Sequence, residues 1–197
     1  MSAPPESTNS PSAPRLDDDA LVEALTGSQR LGMLGAAPIA HIIEHSGAFL
    51  APLVDVSGTV VDLGSGGGVP GLVIAWMRPD VKVVLVDRRA TRTDHLQRMA
   101  HRLGREAQIT VLTTEAAALP GILAGRADAV VARSFGPPES VLSAAIPILS
   151  TAGILVVSEP PDGSDADRWP APLLNRFNLN RRDPTDSRVA VLTRRPS

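Results

Sequence analysis

The stretch Thr59-Val-Val-Asp62-Leu-Gly64-Ser-Gly66-Gly-Gly68-Val69-Pro-Gly71 decides the fold of this chain. Its first five residues, Thr59–Leu63, are mostly apolar and β-branched, which predicts a short buried strand. The glycines that follow allow the backbone to turn sharply and to approach a ligand closely. Pro70 suits the first turn of a helix, which we predict over Pro70–Arg78. The stretch therefore predicts a strand, a tight turn and a helix in succession.

Strands and helices continue to alternate along the rest of the chain. The further predicted strands are Val81–Val86, Ile109–Leu112, Asp128–Ala132, Ile154–Val157 and Val189–Thr193, with one more near Phe177–Leu179. The predicted helices are Thr91–Leu103, a weak one over Glu115–Ala124, and Glu139–Leu149, and Pro160–Pro172 is predicted to be a loop. This order predicts a mostly parallel α/β sheet with helices on both faces and an antiparallel edge.

The first third of the chain has a different composition. Residues 1–19 are rich in Ser, Pro and Ala, then in Asp, and we predict a disordered tail because such a segment buries little apolar surface. Residues 20–55 have helical periodicity, which predicts a helical lead-in with breaks near Gly27 and Gly35. Residues 56–197 then form the ligand-binding domain.

Composition excludes several classes of protein. The 197 residues contain no cysteine, which rules out disulfides, thiolate metal sites and cysteine nucleophiles. No apolar run reaches the roughly 18 residues of a membrane span. The N-terminus also lacks the basic and apolar segments of a signal peptide. We therefore expect a cytoplasmic protein with no metal and no membrane partner.

Charge limits how the chain could bind a nucleic acid. The formal net charge is −2, so such a partner would need a local basic patch. Arg88, Arg89 and Arg92 follow the second predicted strand and are candidates for contacts with a phosphate backbone. The alternative is that these arginines form the solvated face of a helix.

Two carboxylates stand where the first two strands are predicted to end. Ligands of such sheets bind beyond the carboxyl ends of the strands. Asp62 would meet an ammonium group there, directly or through water. Asp87, nineteen residues after Gly68, would accept hydrogen bonds from both hydroxyls of a ribose. S-adenosylmethionine carries both groups, so these residues favour it as the cofactor.

Two alternatives to this cofactor remain open. The spacing Gly66-x-Gly68-x-x-Gly71, with Asp87 further on, also fits the dinucleotide fingerprint. Asp62 weighs against NAD because its carboxylate would lie close to a pyrophosphate, whereas it would face the cationic end of S-adenosylmethionine. The other alternative is a glycine-rich turn that binds no ligand.

The stretch Val61–Gly71, followed by a helix, resembles motif I of class I methyltransferases. Its Gly-x-Pro-Gly ending is similar in particular to the bacterial 16S rRNA guanine-N7 methyltransferases, also called the glucose-inhibited division protein B family. That family has an acidic end to its second strand and an Ala/Ser-Arg-Ala-Phe motif after its fourth. Here these are Asp87 and Ala132-Arg133-Ser134-Phe135, and Ile42–Ser46 faintly resembles a His-x-x-Asp-Ser segment of the family. The resemblance covers roughly Ala40–Val157.

The resemblance implies a class I methyltransferase fold, S-adenosylmethionine as cofactor, and 16S rRNA or the small ribosomal subunit as partner. It places Gly64 and Val69 at the methionine end, Glu115 and Ala116 by the adenine, and Arg133 near cofactor and substrate. The alternative for Arg133 is a surface ion pair. The full predicted cofactor set is Asp62, Gly64, Gly66, Gly68, Val69, Asp87, Glu115, Ala116 and Arg133.

The chain departs from that family after the fifth strand. The family's Leu-Lys-Gly-like segment is replaced by Val157-Ser158-Glu159-Pro160-Pro161, so an acidic residue stands where a basic one would face the RNA. The family's Asn-Leu-Thr lead-in is not recognisable either. A methyltransferase with a small-molecule substrate and a non-catalytic cofactor-binding module are therefore alternatives.

Methylation at guanine N7 would need little from the protein's own acids and bases. This atom carries a free lone pair, so no general base is required and we predict no catalytic residue. The protein would act by holding the acceptor in line with the methyl group.

Overall fold

The computed structural model describes residues 14–160, 168–183 and 186–195. Its seven strands are β1 Thr59–Leu63, β2 Lys82–Asp87, β3 Ile109–Thr113, β4 Ala127–Ala132, β5 Leu149–Ser158, β6 Leu179–Arg182 and β7 Val189–Arg194. The α-helices are α1 Asp19–Arg30, α2 Ile39–Gly47, α3 Gly71–Met77, α4 Ala90–Arg102, α5 Pro120–Leu123, α6 Pro138–Ala145 and α7 Ala171–Arg176. Two 3₁₀ turns lie at Ala51–Leu53 and Ala116–Ala118.

The strands form one mixed sheet in the order β3-β2-β1-β4-β5-β7-β6. Strands β1 to β5 run parallel, and β7 pairs antiparallel with both β5 and β6. The chain leaves β1 toward β2 on one side and later returns to β4 on the other. The carboxyl end of β1 is therefore the switch point, where α/β sheets bind their ligands. The predicted α/β class with an antiparallel edge is confirmed.

Two apolar cores lie on the two faces of the sheet, because alternate residues of each buried strand point to opposite sides. Val60 packs into one core with Leu72 of α3 and Leu96 of α4. Val61 packs into the other core with Leu142 of α6 and Leu155 of β5. Both faces of β1 are therefore covered, and its carboxyl end is held rigidly.

The helical lead-in is part of the first core. Leu21 and Leu25 of α1 are fully buried, as is Phe49, and they belong to the cluster that contains Leu72. The indole N–H of Trp76 in α3 donates to the carboxylate of Asp18, the residue just before α1, at 2.9 Å. It also donates to the Arg15 carbonyl at 3.2 Å. The lead-in therefore packs directly behind the segment that follows the glycines.

The lead-in differs from its prediction at two points. Gly27 lies inside α1, so the predicted break near this residue is wrong, whereas Gly35 does lie between α1 and α2. Residues 14–18 of the predicted tail are held against α3 through Trp76, and residues 1–13 lie outside the described residues.

Several later elements also differ in their bounds. α6 ends before Pro147, which has no N–H to continue the helix, and β5 begins earlier than predicted, at Leu149. Helix α7 occupies the end of the predicted loop, whose residues 161–167 lie outside the described residues. Asn178 has a φ of +54°, which turns the chain between α7 and β6. Within the described ranges, no helix is long and apolar enough to cross a membrane.

Candidate functional site

The glycine loop, residues 64–70, connects β1 to α3 at the switch point. Gly64, Gly66 and Gly68 have φ values of +68°, +54° and +101°, which residues with a side chain rarely adopt. At Gly71 the constraint is space, since an added Cβ would lie 2.5 Å from the Asp62 carboxylate and would also meet Leu85. The path of the loop therefore depends on these glycines.

Asp62 lies behind the loop with an unsatisfied oxygen. Its side chain is fully buried, and Oδ2 accepts a hydrogen bond from the Gly71 amide at 3.1 Å. Oδ1 is buried and has no hydrogen-bond partner within the described residues. Burial is the main cause that raises the pKa of Asp62 to about 7, with a smaller contribution from Asp87, while Ser65, the Gly71 amide and Arg133 oppose the rise. Because an unpaired buried acceptor is costly, Asp62 is suited to a ligand that brings a cationic donor.

Asp87 ends β2 and holds the loop through its carboxylate. Oδ2 accepts a hydrogen bond from the Gly66 amide at 3.1 Å and pairs with Nη1 of Arg92 at 3.3 Å. Oδ1 accepts from the Arg89 amide at 2.9 Å. Only 4% of the Asp87 side chain is exposed. The carboxylate is thus held at the carboxyl end of β2 by two backbone amides and one arginine side chain.

Two cavities flank the glycine loop. The first has a volume of about 330 Å³, and Asp87 is among the residues that line it. The second has a volume of about 250 Å³ and lies on the side of the lead-in, against Met33 and Leu34. Gly64, Arg92 and Ser134 line both cavities. The two cavities therefore adjoin across these residues and together surround the loop.

The end of β4 contributes a cation and an aromatic ring. Arg133 is partly buried, its Nη1 has no hydrogen-bond partner within the described residues, and burial lowers its pKa while Asp62 opposes this. No ion pair of Arg133 is present in the described part of the chain, which is against the alternative of a surface pair. The Phe135 ring lies over Gly64, where an added Cβ would be 2.9 Å from Cδ2.

Most of the predicted cofactor residues line these cavities. Asp62 does not, because it is buried behind the loop, and neither does Gly68, which packs against Leu72 and Leu96. Glu115 is exposed and pairs with Arg88 at 3.7 Å. The seven that line a cavity are Gly64, Gly66, Val69, Asp87, Glu115, Ala116 and Arg133.

Sequence reasoning missed three residues of the site. The buried Ser65 hydroxyl donates to the Asp62 carbonyl and accepts from the Val86 amide, both at 3.0 Å, which joins β1 to β2. Leu34 covers Gly67, where an added Cβ would lie 2.6 Å from its Cγ. Arg92 was considered only for RNA, although its spacing from Asp87 within the first turn of α4 indicates a possible pair.

Glu159 does not face outward as expected. Its side chain is only 12% exposed, and it pairs with Arg168 at 3.4 Å and with Arg181 at 3.3 Å. The indole N–H of Trp169 also donates to it at 2.8 Å. The expectation that Glu159 presents its charge toward RNA is therefore wrong, because two arginines and an indole enclose it.

Solved methyltransferase structures share this fold. The SAH-bound methyltransferase PaMTH1 of Podospora anserina is 14% identical with a TM-score of 0.63, and the match covers 91% of this chain and 89% of that one. The precorrin-6y C5,15-methyltransferase of Geobacter metallireducens is also 14% identical, with a TM-score of 0.57 and coverage of 76% and 86%. At this identity the likeness shows the class I methyltransferase fold alone.

Proteins related in sequence indicate a narrower family than the shared fold does. The ribosomal RNA small subunit methyltransferase G of a Nocardioides species is 38% identical over 55% of this chain and 42% of its own length. The protein of that name from Kineococcus radiotolerans is 30% identical over 72% of this chain and 56% of its own. The chain thus spans about half the length of these relatives.

A family model covers most of the same region. The model described as rRNA small subunit methyltransferase G, or GidB, matches residues 29–159, about two-thirds of the chain. The match includes the glycine loop, Asp87 and the Arg133 segment. It confirms the resemblance seen in the sequence: the chain belongs to the rRNA small subunit methyltransferase G family.

Proposed function

We propose that this protein is an S-adenosylmethionine-dependent methyltransferase that acts on small-subunit rRNA at a guanine N7. The observation that carries the cofactor is the pair of carboxylates beside the glycine loop. Asp62 has a fully buried oxygen without a hydrogen-bond partner in the described part of the chain, and Asp87 holds its carboxylate at the edge of a cavity of about 330 Å³. Asp62 lines neither cavity, so it would act on an ammonium group through water, whereas Asp87 would bind ribose hydroxyls directly.

The residues present fit this cofactor better than a dinucleotide. Asp87, with Glu115 and Ala116 in the same cavity, would hold the ribose and the adenine. Gly64 and Val69 would line the methionine end in the second cavity. A pyrophosphate close to Asp62 would face a carboxylate that is already fully buried and has few donors around it, which is unfavourable.

The protein's contribution to methyl transfer would be binding and orientation. When bound, the cofactor supplies an electrophilic methyl group on a sulfonium. Phe135 lies over Gly64, where the two cavities adjoin, so the acceptor base could stack on its ring beside the methionine end, and Arg133 offers a partly buried cation at the second cavity. Guanine N7 has a free lone pair, so these residues need only hold the acceptor in place and exclude water.

The proposed place of action follows from the substrate. The partner would be the small ribosomal subunit or its naked rRNA, in the cytoplasm, and no membrane partner is proposed. Neutralisation of Glu159 within the protein supports this acceptor, since the acidic substitution after β5 adds no exposed negative charge at that point.

Calorimetry with the purified protein tests the cofactor. We expect S-adenosylmethionine and S-adenosylhomocysteine to bind and NAD to give no heat. Absence of binding by both S-adenosyl compounds would refute the proposed cofactor.

Methyl transfer tests the acceptor. The protein is incubated with radiolabelled S-adenosylmethionine and either small ribosomal subunits or naked small-subunit rRNA, and the labelled nucleotide is identified after digestion. We expect label in 7-methylguanine. Cofactor binding without label in either substrate would favour a small-molecule methyltransferase or a non-catalytic module.

A further inference from the structure

Arg92 stands between the two cavities. Its side chain is 30% exposed, and Nη1 lies 3.3 Å from Oδ2 of Asp87. The same side chain lines the cavity beside Asp87 and the cavity beside Arg133. It also lies 3.7 Å from the position of a Cβ added to Gly66. A ligand in the first cavity that binds Oδ2 of Asp87 would therefore compete with Arg92.

Asp87 has little acceptor capacity left while Arg92 is in place. An ionised carboxylate offers about four lone-pair sites. The Gly66 and Arg89 amides use two of them, and Arg92 competes for a third. The two amides belong to the loop and to the start of α4, so they cannot leave without unfolding these segments. Arg92 is on a rotatable side chain and is the partner that can give way to ribose hydroxyls.

Helix stability does not explain this arginine. Arg92 lies in the first turn of α4. That turn contains no acidic residue, and the helix dipole disfavours a cation there. Its neighbour Arg88 is paired with Glu115. The guanidinium groups at this edge are thus partly neutralised as long as Asp87 and Glu115 hold them.

The second cavity is where the methionine end of the cofactor is proposed to lie, so the methionine carboxylate would face Arg133, whose Nη1 has no partner in the described residues. Arg92 lines both cavities and is 30% exposed, so on leaving Asp87 it would place a free guanidinium where the two cavities adjoin. Guanidinium groups bind phosphate oxygens in a bidentate way, and a nucleic-acid strand supplies phosphates wherever its base is presented.

Building on the proposed function, we propose that Arg92 couples the two sites: it leaves Asp87 when a ribose binds there and then binds a phosphate of the acceptor RNA. The cofactor-bound protein is then the RNA-binding form. Cofactor and RNA therefore increase each other's affinity, as linkage requires.

The salt dependence of RNA binding tests this coupling. Filter binding of a small-subunit rRNA transcript is measured over a range of salt concentrations, with and without S-adenosylhomocysteine. Each phosphate contact adds about 0.7–0.9 to the slope of log affinity against log salt. We expect S-adenosylhomocysteine to steepen the wild-type slope by about this amount, and to leave the slope of Arg92→Ala unchanged. A ligand-independent wild-type slope, or an Arg92→Ala slope that still steepens, would overturn the proposal.

Two variants serve as controls. Arg92→Lys keeps a mobile cation and should retain the steepening. Arg89→Ala removes a neighbouring guanidinium, for which no ion pair is seen in the described residues, and keeps the amide that binds Asp87. The salt slope of Arg89→Ala should become steeper with S-adenosylhomocysteine, as the wild-type slope does, whatever the variant's absolute affinity for RNA. Loss of the steepening in both Arg89→Ala and Arg92→Ala would point to general basicity and overturn the specific role.

Calorimetry separates this inference from the proposed cofactor. Without RNA, Arg92→Ala should bind S-adenosylhomocysteine as tightly as the wild type or up to about fivefold more tightly, because a competing pair at a partly exposed site has been removed. Weaker binding by this variant would show that Arg92 holds the cofactor itself and would overturn the coupling. Failure of the wild type to bind at all would instead refute the proposed cofactor.

Discussion

Asp87 and Glu159 stand at the same edge of the sheet, yet they are used differently. Asp87 ends β2, Glu159 directly follows β5, and both side chains are largely buried. Asp87 is held by two backbone amides and one side chain that can leave. Glu159 is held by two arginines and an indole. A carboxylate at a strand end is therefore available to a ligand only where its partners leave acceptor capacity beside a cavity.

Replacing each carboxylate with alanine tests this comparison with the largest expected effect. Asp87→Ala removes the proposed acceptor of two ribose hydroxyl groups, each bond to a carboxylate worth about 1.5–3 kcal/mol, so S-adenosylhomocysteine should bind at least about a hundredfold more weakly. Glu159→Ala should bind within about twofold of the wild type, since Glu159 lines neither cavity. Calorimetry measures both constants, with circular dichroism to check folding. Equal losses would remove the distinction between the two residues.

Packing behind the loop gives the next largest effect. An added Cβ at Gly71 would lie 2.5 Å from Asp62 and would also meet Leu85, so Gly71→Ala should lower the free energy of unfolding by about 1–3 kcal/mol. Gly27→Ala is the matched control, because nothing lies within 4 Å of an added Cβ in the middle of α1. It should stabilise by up to about 1 kcal/mol. Urea denaturation measures both changes. A Gly71→Ala variant with the same free energy of unfolding as the wild type would contradict the tight packing.

The pH dependence of binding distinguishes Asp62 from the other carboxylates. Burial raises the pKa of Asp62 to about 7 from its ordinary 3.8. A cationic ammonium group is attracted to the ionised form, so affinity for S-adenosylhomocysteine should rise, by up to about tenfold, between pH 6 and pH 7.5. The stability of the free protein should change in the opposite sense, since the contribution of Asp62 is present below its unfolded pKa and is lost as the pH rises through 7.

Two controls isolate the Asp62 carboxylate in this titration. Asp62→Asn should abolish the rise in affinity, and adenosine, which has no ammonium group, should show none with the wild type. Calorimetry at a series of pH values provides the measurement. A wild-type affinity that is flat with pH, or a rise that survives in Asp62→Asn, would rule out an ionising Asp62 as the partner of the ligand.

The smallest expected effect concerns the enclosure of Glu159. Glu159→Gln should lower the free energy of unfolding by about 1 kcal/mol, because two arginines lose their counter-charge while the amide oxygen can still accept from Trp169. Glu23→Gln is the control, since its pair with Arg102 at 3.6 Å is largely exposed, and it should have almost no effect. Improved RNA binding by Glu159→Gln would mean that Glu159 does act on the nucleic acid.

Local chemistry explains what could be predicted from the sequence. β1 has the predicted bounds Thr59–Leu63, because a short apolar run that ends in glycines has few other solutions. The loop and Asp87 were predicted because each follows an apolar strand, and Arg133 was predicted because its segment resembles the family's motif after the fourth strand.

Contacts between distant segments explain what could not be predicted. Leu34 covers Gly67, and Arg181 from the edge strand β6 neutralises Glu159. Neither pair leaves a periodic pattern or a spacing in the sequence. Helix α7 was not predicted for a similar reason, since it is short and its leucines pack into the core on the sheet.

The placement of the two tryptophans has a consequence for spectroscopy. The chain has two tryptophans and no tyrosine. Trp76 contacts Asp18 and stacks with Arg105 at 5.0 Å beside the lead-in, while Trp169 lies against Glu159. Fluorescence excited in the near ultraviolet therefore comes from one emitter in the core on each face of the sheet. A variant that keeps a single indole will report separately on the core behind the glycine loop or on the core beside Glu159.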